Sequence, residues 1–224
     1  RGALSDYGPH YFTPYRRILS RVPLYPAVGN HDYANQMSGE RHGRLRFEEA
    51  YRLVHRKPAY YSFDAGPVHF ISLDTNQAFH IDAAAPYGPG SAQDVWLRTD
   101  LAASSAPWKI IFTHVPIHAS EDHGDHEALR RWLEPLLKEH RVQVVFSGHD
   151  HIYERTKPIE GTVFVTVGTG GAGLHPKRDR PDDPRFVARV AAHGFLRAEL
   201  EGDDLRLRFL DKDGRMRDTS VIRR

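Results

Sequence analysis

Residues 143–151 read Gln-Val-Val-Phe-Ser-Gly-His-Asp-His, a short apolar run that ends in a glycine and two histidines. The apolar part predicts a buried strand over 143–146, so His149 and His151 lie just beyond its carboxyl end. A second apolar run, 109–113, ends in the same way at His114. Ligand sites of open α/β sheets form beyond the carboxyl ends of strands, so we expect these histidines to converge.

A third segment repeats this arrangement nearer the start of the chain. Residues 23–28 are apolar and contain two prolines, which suits a strand end or edge better than a helix. They are followed directly by Gly29, Asn30, His31 and Asp32. Each segment alone has an ordinary explanation as a turn or a core histidine, but three in succession favour a shared polar site.

The rest of the chain alternates helical and strand patterns and then becomes mostly strands. We predict helices over 12–20, 48–54, 91–103 and 126–140, a hairpin of strands 60–64 and 68–74, further strands over 162–167, 194–200, 205–210 and 216–222, and an exposed loop over 175–189. This order predicts an α/β fold, a two-layer mixed β-sheet sandwich flanked by helices.

Composition excludes several classes of protein. The 224 residues fit one domain, and the formal net charge of +2 gives no signal for nucleic-acid binding. No apolar run is long enough to span a membrane. The absence of cysteine excludes disulfides, thiolate metal sites and a cysteine nucleophile. The 15 histidines stand out, because imidazole is the commonest metal ligand.

The residue types beyond the three strands suit metal chemistry. Neutral imidazole and amide or carboxylate oxygens bind zinc, manganese or iron. His149 and His151, separated by one residue, point in different directions and can therefore serve two metal ions. A pair of metal ions can generate a hydroxide nucleophile and stabilise both oxygens of a phosphoryl transfer.

The three motifs together resemble the calcineurin-like metallophosphoesterases, and residues 148–155 and 29–33 are similar to the purple acid phosphatase branch. The resemblance implies that Asn30, His114 and His149 hold one metal ion and that His151 belongs to the other. The ions would be iron, zinc or manganese, divalent or trivalent.

The same resemblance implies catalytic roles for three residues. His31 would contact the phosphate or the leaving group, and Asp32 would orient His31. His123, nine residues after His114, matches a further substrate-site histidine of the purple acid phosphatases.

Part of the family's pattern is not found. Members begin with Asp-x-His or Asp-x-Gly on a first strand and continue with Gly-Asp-x-x; Asp6-Tyr7-Gly8 matches in letters but follows no buried strand. We therefore expect residues 1–224 to be an N-terminally incomplete metallophosphoesterase domain that lacks its first strand or strands. The missing ligands would lie upstream of Arg1, so we expect the complete protein to be active and this chain alone to be inactive.

The function that these residues favour is hydrolysis of a small phosphate monoester by a hydroxide bound to a dinuclear metal centre. Phosphodiester or nucleotide hydrolysis within the same family, or a noncatalytic metal- or phosphate-binding scaffold, remain alternatives. The resemblance also favours a secreted or periplasmic protein. No sequence pattern fixes the oligomeric state.

A competing pattern is Gly-x-Gly-x-x-Gly at 168–173, which follows a predicted strand. In dinucleotide-binding proteins this motif must open a helix that receives the pyrophosphate. Residues 174–181 contain two prolines and no helical pattern. The glycines are better explained as allowing a loop to approach the metal site closely.

Overall fold

The computed structural model describes residues 4–33, 47–79, 85–120, 124–175 and 183–224. Its helices are α1 (Leu4–Tyr7), α2 (Thr13–Leu19), α3 (Asn30–Tyr33), α4 (Arg52–His55), α5 (Ala92–Ala103) and α6 (Glu127–Glu139), with π-helical turns at Gly8–Phe12 and Phe47–Tyr51 and a 3₁₀ turn at Asn76–Phe79. Its strands are β1 (Tyr61–Ala65), β2 (Val68–Leu73), β3 (Trp108–Thr113), β4 (Val144–Ser147), β5 (Tyr153–Thr156), β6 (Val163–Val167), β7 (Phe186–Val190), β8 (Gly194–Glu201), β9 (Asp204–Asp211) and β10 (Met216–Arg223).

The strands form two sheets. Seven lie in the order β1-β2-β3-β4-β6-β5-β7, and β8, β9 and β10 form a three-stranded antiparallel sheet. Strands β2, β3, β4 and β6 run parallel to one another, whereas β1, at one edge, and β5 pair antiparallel to their neighbours. The carboxyl ends of β3, β4 and β6 therefore share one edge of the sheet, as the sequence predicts for β3 and β4.

Alternation of side chains along the central strands supplies two separate cores. One face, which includes Ile111 and Val145, packs against Leu97 of α5 and Leu133 of α6. The opposite face packs against the three-stranded sheet, where Phe209 is fully buried. The predicted two-layer mixed sandwich with flanking helices is confirmed.

Residue-level predictions of the larger elements are also confirmed. The predicted hairpin is β1 and β2, and the predicted helix over 91–103 is α5. The hydroxyl of Ser91 caps α5 by accepting from the backbone N–H of Asp94 at 3.1 Å. Along this helix Leu97 and Leu101 are buried, whereas Val95 is exposed.

Two predictions are wrong. Residues 23–28 form no strand among the described residues; the carbonyl of Pro26 instead accepts from the hydroxyls of Tyr51 and Tyr61 at 2.9 and 2.8 Å. Within 175–189, predicted as an exposed loop, residues 186–189 belong to the strand β7, which pairs with β5; the charged residues of this stretch precede the strand, whose own residues are mostly apolar. Residues 176–182 lie outside the described residues.

Candidate active site

Three separate segments meet at the carboxyl edge of the seven-stranded sheet. Nε2 of His114 lies 2.7 Å from Oδ1 of Asn30 and 3.3 Å from Nδ1 of His149. The rings of His114 and His149 meet edge to face, with centroids 5.1 Å apart. Three of the four predicted metal ligands are thus brought together, although Asn30 and His114 are 84 positions apart in the sequence.

Glycines allow these segments to approach each other. A Cβ atom at Gly29 would lie 3.1 Å from the ring of His114, so a larger residue there would push the imidazole away from Asn30. The N–H of Gly148 donates to the carbonyl of His114 at 3.0 Å. The next residue, His149, has a φ of 62°, a left-handed conformation that is uncommon outside glycine and often found at functional sites.

The environment of His114 keeps its imidazole neutral. Burial, together with the nearby His149 and His31, lowers the pKa of His114 to about 3. The neutral ring carries a lone pair on one nitrogen, which is the form that binds metal ions. The electrostatics of this position therefore suit a ligand.

His151 lies in a second environment on the same loop. Its Nδ1 is 2.7 Å from the carbonyl oxygen of Gly173, and its ring is 4.6 Å from that of His175. A histidine that donates through Nδ1 to a backbone carbonyl presents Nε2 as a metal ligand, an arrangement common in metalloproteins. His175 was not singled out by the sequence, because nothing in its local pattern places it beside His151.

His31 and Asp32 face different surroundings within the short helix α3. His31 is exposed, whereas the carboxylate of Asp32 accepts from the N–H of Gly29 at 2.8 Å and from the hydroxyl of Tyr7 at 3.5 Å. Burial raises the pKa of Asp32. Tyr7 belongs to the Asp6-Tyr7-Gly8 stretch that fails as a ligand motif, and its contact with Asp32 has no signal in the sequence.

The third predicted catalytic residue, His123, lies outside the described residues. The described ends of its loop are held in place by a carboxylate. Oδ1 of Asp125 accepts from the N–H of Ala119 at 3.2 Å, and both terminal nitrogens of Arg185 donate to the Asp125 carboxylate. Burial opposes ionisation of Asp125, but hydrogen bonds from His118 and Arg185 outweigh it and lower the pKa.

The residues present fit part of a metal centre. Two imidazole nitrogens and one amide oxygen converge at the His114 position, and His151 offers a ring nitrogen nearby in sequence. Such donors suit zinc, manganese or iron. No three His, Cys, Asp or Glu side chains form a metal-binding group within the described part of the chain. The site thus offers a partial ligand set, in which the oxygen donor at the His114 position is an asparagine.

Comparison with known proteins identifies the family. The family profile described as calcineurin-like phosphoesterase matches residues 3–153, more than half of the chain. The chain belongs to the calcineurin-like phosphoesterase family. Members of this family hydrolyse phosphate esters, and metal binding follows from the family.

Individual relatives of this calcineurin-like phosphoesterase are purple acid phosphatases. It is 32% identical over 182 residues to purple acid phosphatase 23 of Arabidopsis thaliana, which covers 75% of this chain and 38% of that protein. It is 30% identical to purple acid phosphatase 21 of the same plant, and the match covers 80% of this chain and 44% of that protein. The chain therefore spans about two fifths of the length of these relatives.

Solved structures agree on the fold of this calcineurin-like phosphoesterase. A purple acid phosphatase from yellow lupin seeds superposes with a TM-score of 0.76 at 23% identity, covering 99% of this chain and 44% of that one. A dimetal phosphatase from Danio rerio superposes with a TM-score of 0.60 at 19% identity, covering 98% of this chain and 77% of that one. Among the described residues, none of the helices has the length and apolarity needed to cross a membrane.

Proposed function

We propose that this site hydrolyses phosphate monoesters of small molecules with the help of two bound metal ions. The observation that carries the proposal is the meeting of Asn30, His114 and His149 from three separate segments at one edge of the sheet. Similarity to purple acid phosphatases supports a monoester as the substrate. The proposal concerns a protein that also carries the ligands expected upstream of Arg1.

The chain's own residues have distinct tasks in this proposal. Asn30, His114 and His149 would hold one ion, and His151 would bind the other through Nε2. When bound, the ions supply the hydroxide nucleophile and neutralise negative charge on the phosphoryl group. His31 would donate a hydrogen bond or a proton to the phosphate or leaving oxygen. Asp32 would fix the backbone of α3 through its bond with Gly29 and thereby orient His31.

The exposed position of His31 favours an enzyme over a noncatalytic scaffold. A protein that merely binds metal or phosphate does not need a group suited to proton transfer beside the ligands. Phosphodiesters and nucleotides would use the same ligand set, so they remain alternative substrates for the proposed hydrolase. Their hydrolysis is tested by the same assay with a diester in place of the monoester.

The proposed activity is tested by assaying two proteins with an artificial phosphomonoester. A protein extended through the upstream segment should hydrolyse the ester and lose the activity when the metal is removed by a chelator. The 224-residue chain alone should show no turnover, because it supplies three ligands to one ion and one to the other. Robust metal-dependent hydrolysis by the chain alone would contradict the expectation that it is inactive. Absence of hydrolysis by the extended protein would refute the proposed function.

The ligand assignment makes a separate prediction about metal content. Asn30→Ala and His149→Ala should each weaken metal binding in the extended protein by at least about 10-fold, since even losing a group that supports a ligand costs about 10- to 100-fold. Metal analysis after dialysis measures this directly. His140→Ala is the matched control, because His140 follows α6 at the opposite edge of the sheet. Full metal occupancy in the Asn30 and His149 variants would contradict the assignment.

We also infer a secreted or periplasmic location. The inference rests on the resemblance to purple acid phosphatases and not on a feature of the described residues. Fractionation of cells that express the extended protein tests it, and recovery of the protein in the cytosol alone would contradict it.

A further inference from the structure

A cavity opens at the same edge of the sheet as the histidines. It has a volume of about 420 Å³ and lies where β6, β7 and β9 end. β6 is parallel to β4, and β7 runs in the same direction because both pair antiparallel with β5. The cavity therefore lies on the side of the sheet where His114 and His149 meet, the side on which α/β folds bind ligands.

The glycine-rich loop that follows β6 joins this cavity to the histidines. Gly168 packs against the carbonyl of Asp150, and the carbonyl of Gly173 contacts His151. Between these two points, Gly170 and Gly171 line the cavity. Gly171 is two residues from Gly173, so at most about 7 Å of chain separates the cavity wall from the contact with His151.

The two central glycines present open backbone to the cavity. No heavy atom lies within 4 Å of the place where a Cβ atom would stand at Gly170 or Gly171. Thr169 is fully buried, donates from its hydroxyl to the carbonyl of Gly194 at 3.0 Å, and accepts from the N–H of Gly194 at 3.2 Å. The loop is therefore fixed to the start of β8, and its glycines form a wall without side chains.

The opposite wall carries an aromatic ring and side chains of both signs of charge, among them Asp211 and Lys212. Phe195 of β8 is 58% exposed although it lines the cavity. His193 and Lys212 lie beside it, and the backbone N–H of Lys212 donates to the carbonyl of His193 at 2.7 Å. An exposed aromatic ring opposite bare backbone suits a planar aromatic group by stacking. Nζ of Lys212 is paired with Asp213 at 2.9 Å, and Asp211 also lines the cavity. The ring of Phe195, rather than charge, is therefore the group on this wall that would recognise a ligand.

We propose that this cavity binds the planar aromatic group of a phosphate ester whose phosphoryl group lies at the histidine site. The proposal rests on the proposed hydrolase function and adds the class of alcohol from which the substrate is formed. Phe195 is the residue that distinguishes an aromatic ester from an aliphatic one of similar charge. The loop of residues 168–173 connects the two parts of the binding site.

The test compares phenyl phosphate with glycerol 3-phosphate in the extended protein. Phe195→Ala should lower the ratio of kcat/KM for phenyl phosphate to kcat/KM for glycerol 3-phosphate by about 5- to 10-fold, the loss expected for one stacked ring. The ratio cancels differences in folding and metal content between variants. Phe195→Tyr should keep the ratio of the unsubstituted protein, and Phe195→Leu should lower it because it lacks the ring.

Met216→Ala is the matched control. Met216 lies in the same three-stranded sheet and is also 58% exposed, but it does not line the cavity. An unchanged ratio in Phe195→Ala, an unchanged ratio in Phe195→Leu, or an equal fall in Met216→Ala would each overturn the proposal.

A binding measurement separates this proposal from the proposed function. The dissociation constant of phenyl phosphate, measured by calorimetry on the metal-depleted extended protein so that no ester is hydrolysed, should rise in Phe195→Ala while that of glycerol 3-phosphate is retained. If neither ester is hydrolysed but this difference is seen, the cavity binds the aromatic group and the hydrolase function is wrong. If both esters are hydrolysed without this difference, the cavity proposal is wrong and the function stands.

Discussion

Replacing His31 by alanine is expected to lower kcat for a phosphomonoester by about 10²- to 10⁴-fold, the range for loss of a general acid or a donor to transition-state charge. His31 is exposed on α3, directly after Asn30. Asn30, the residue before it, contacts Nε2 of His114 at 2.7 Å, so the backbone of His31 is next to the proposed ligands. A side chain at this position can reach a bound ester without itself binding a metal ion.

The measurement must separate catalysis from metal binding. His31→Ala in the extended protein should retain the metal content of the unsubstituted protein, whereas Asn30→Ala should lose metal. His140→Ala, in which the altered histidine lies far from the site, controls for the general effect of removing an imidazole. An unchanged kcat in His31→Ala would refute its role, and a loss of metal there would make it a ligand instead.

The parts of the site that the sequence predicts are those fixed by strand ends. His114 and His149 follow buried apolar runs, and the edge shared by parallel strands brings them within 3.3 Å of each other. Asn30 was predicted from a segment that forms no strand, yet it reaches the same place. Its position depends on the close approach of Gly29 to the ring of His114, which only the packed structure reveals.

The contacts that the sequence missed involve residues without a local pattern. Tyr7 and Asp32 are 25 positions apart, and their hydrogen bond depends on how α1 and α3 both pack against the turn Phe47–Tyr51. The strand β7, Phe-Val-Ala-Arg-Val, directly follows a stretch rich in Arg, Asp and Pro, and its five residues do not stand out from that loop-like composition. Its one charged residue, Arg189, pairs with the buried Glu154 at 3.6 Å, and the strand shows no alternation of apolar and polar residues from which it could be predicted.

For the glycine-rich loop at 168–173, composition predicts a close approach of the backbone but not which glycine requires it. The sequence predicts that its glycines allow a close approach, and the contacts with Asp150 and His151 confirm this. Composition does not distinguish Gly168, which has no room for a side chain, from Gly170, which has open space. That difference depends on the path of residues 148–151, which lies beside Gly168 in the folded chain.

The substitution Gly168→Ala is accordingly expected to lower the free energy of unfolding by about 3 kcal/mol, the upper end of the usual cost of overpacking. A Cβ atom there would lie 2.0 Å from the carbonyl oxygen of Asp150 and 3.2 Å from Cα of His151. These are backbone atoms, so no rotation of a side chain can relieve the clash. The loop between His149 and His151 would have to move, and metal binding should weaken along with stability.

Urea unfolding of Gly168→Ala and Gly170→Ala, monitored by circular dichroism, tests this expectation. Gly170 has open space and no left-handed φ, so alanine there should leave stability unchanged or raise it by up to about 1 kcal/mol through the unfolded state. Both variants add one methyl group to the same loop, and their difference therefore isolates the contact with Asp150. Equal unfolding midpoints for the two variants would mean that the carbonyl of Asp150 does not pack against Gly168. In that case the loop of residues 168–173 would not hold His149 and His151 in place.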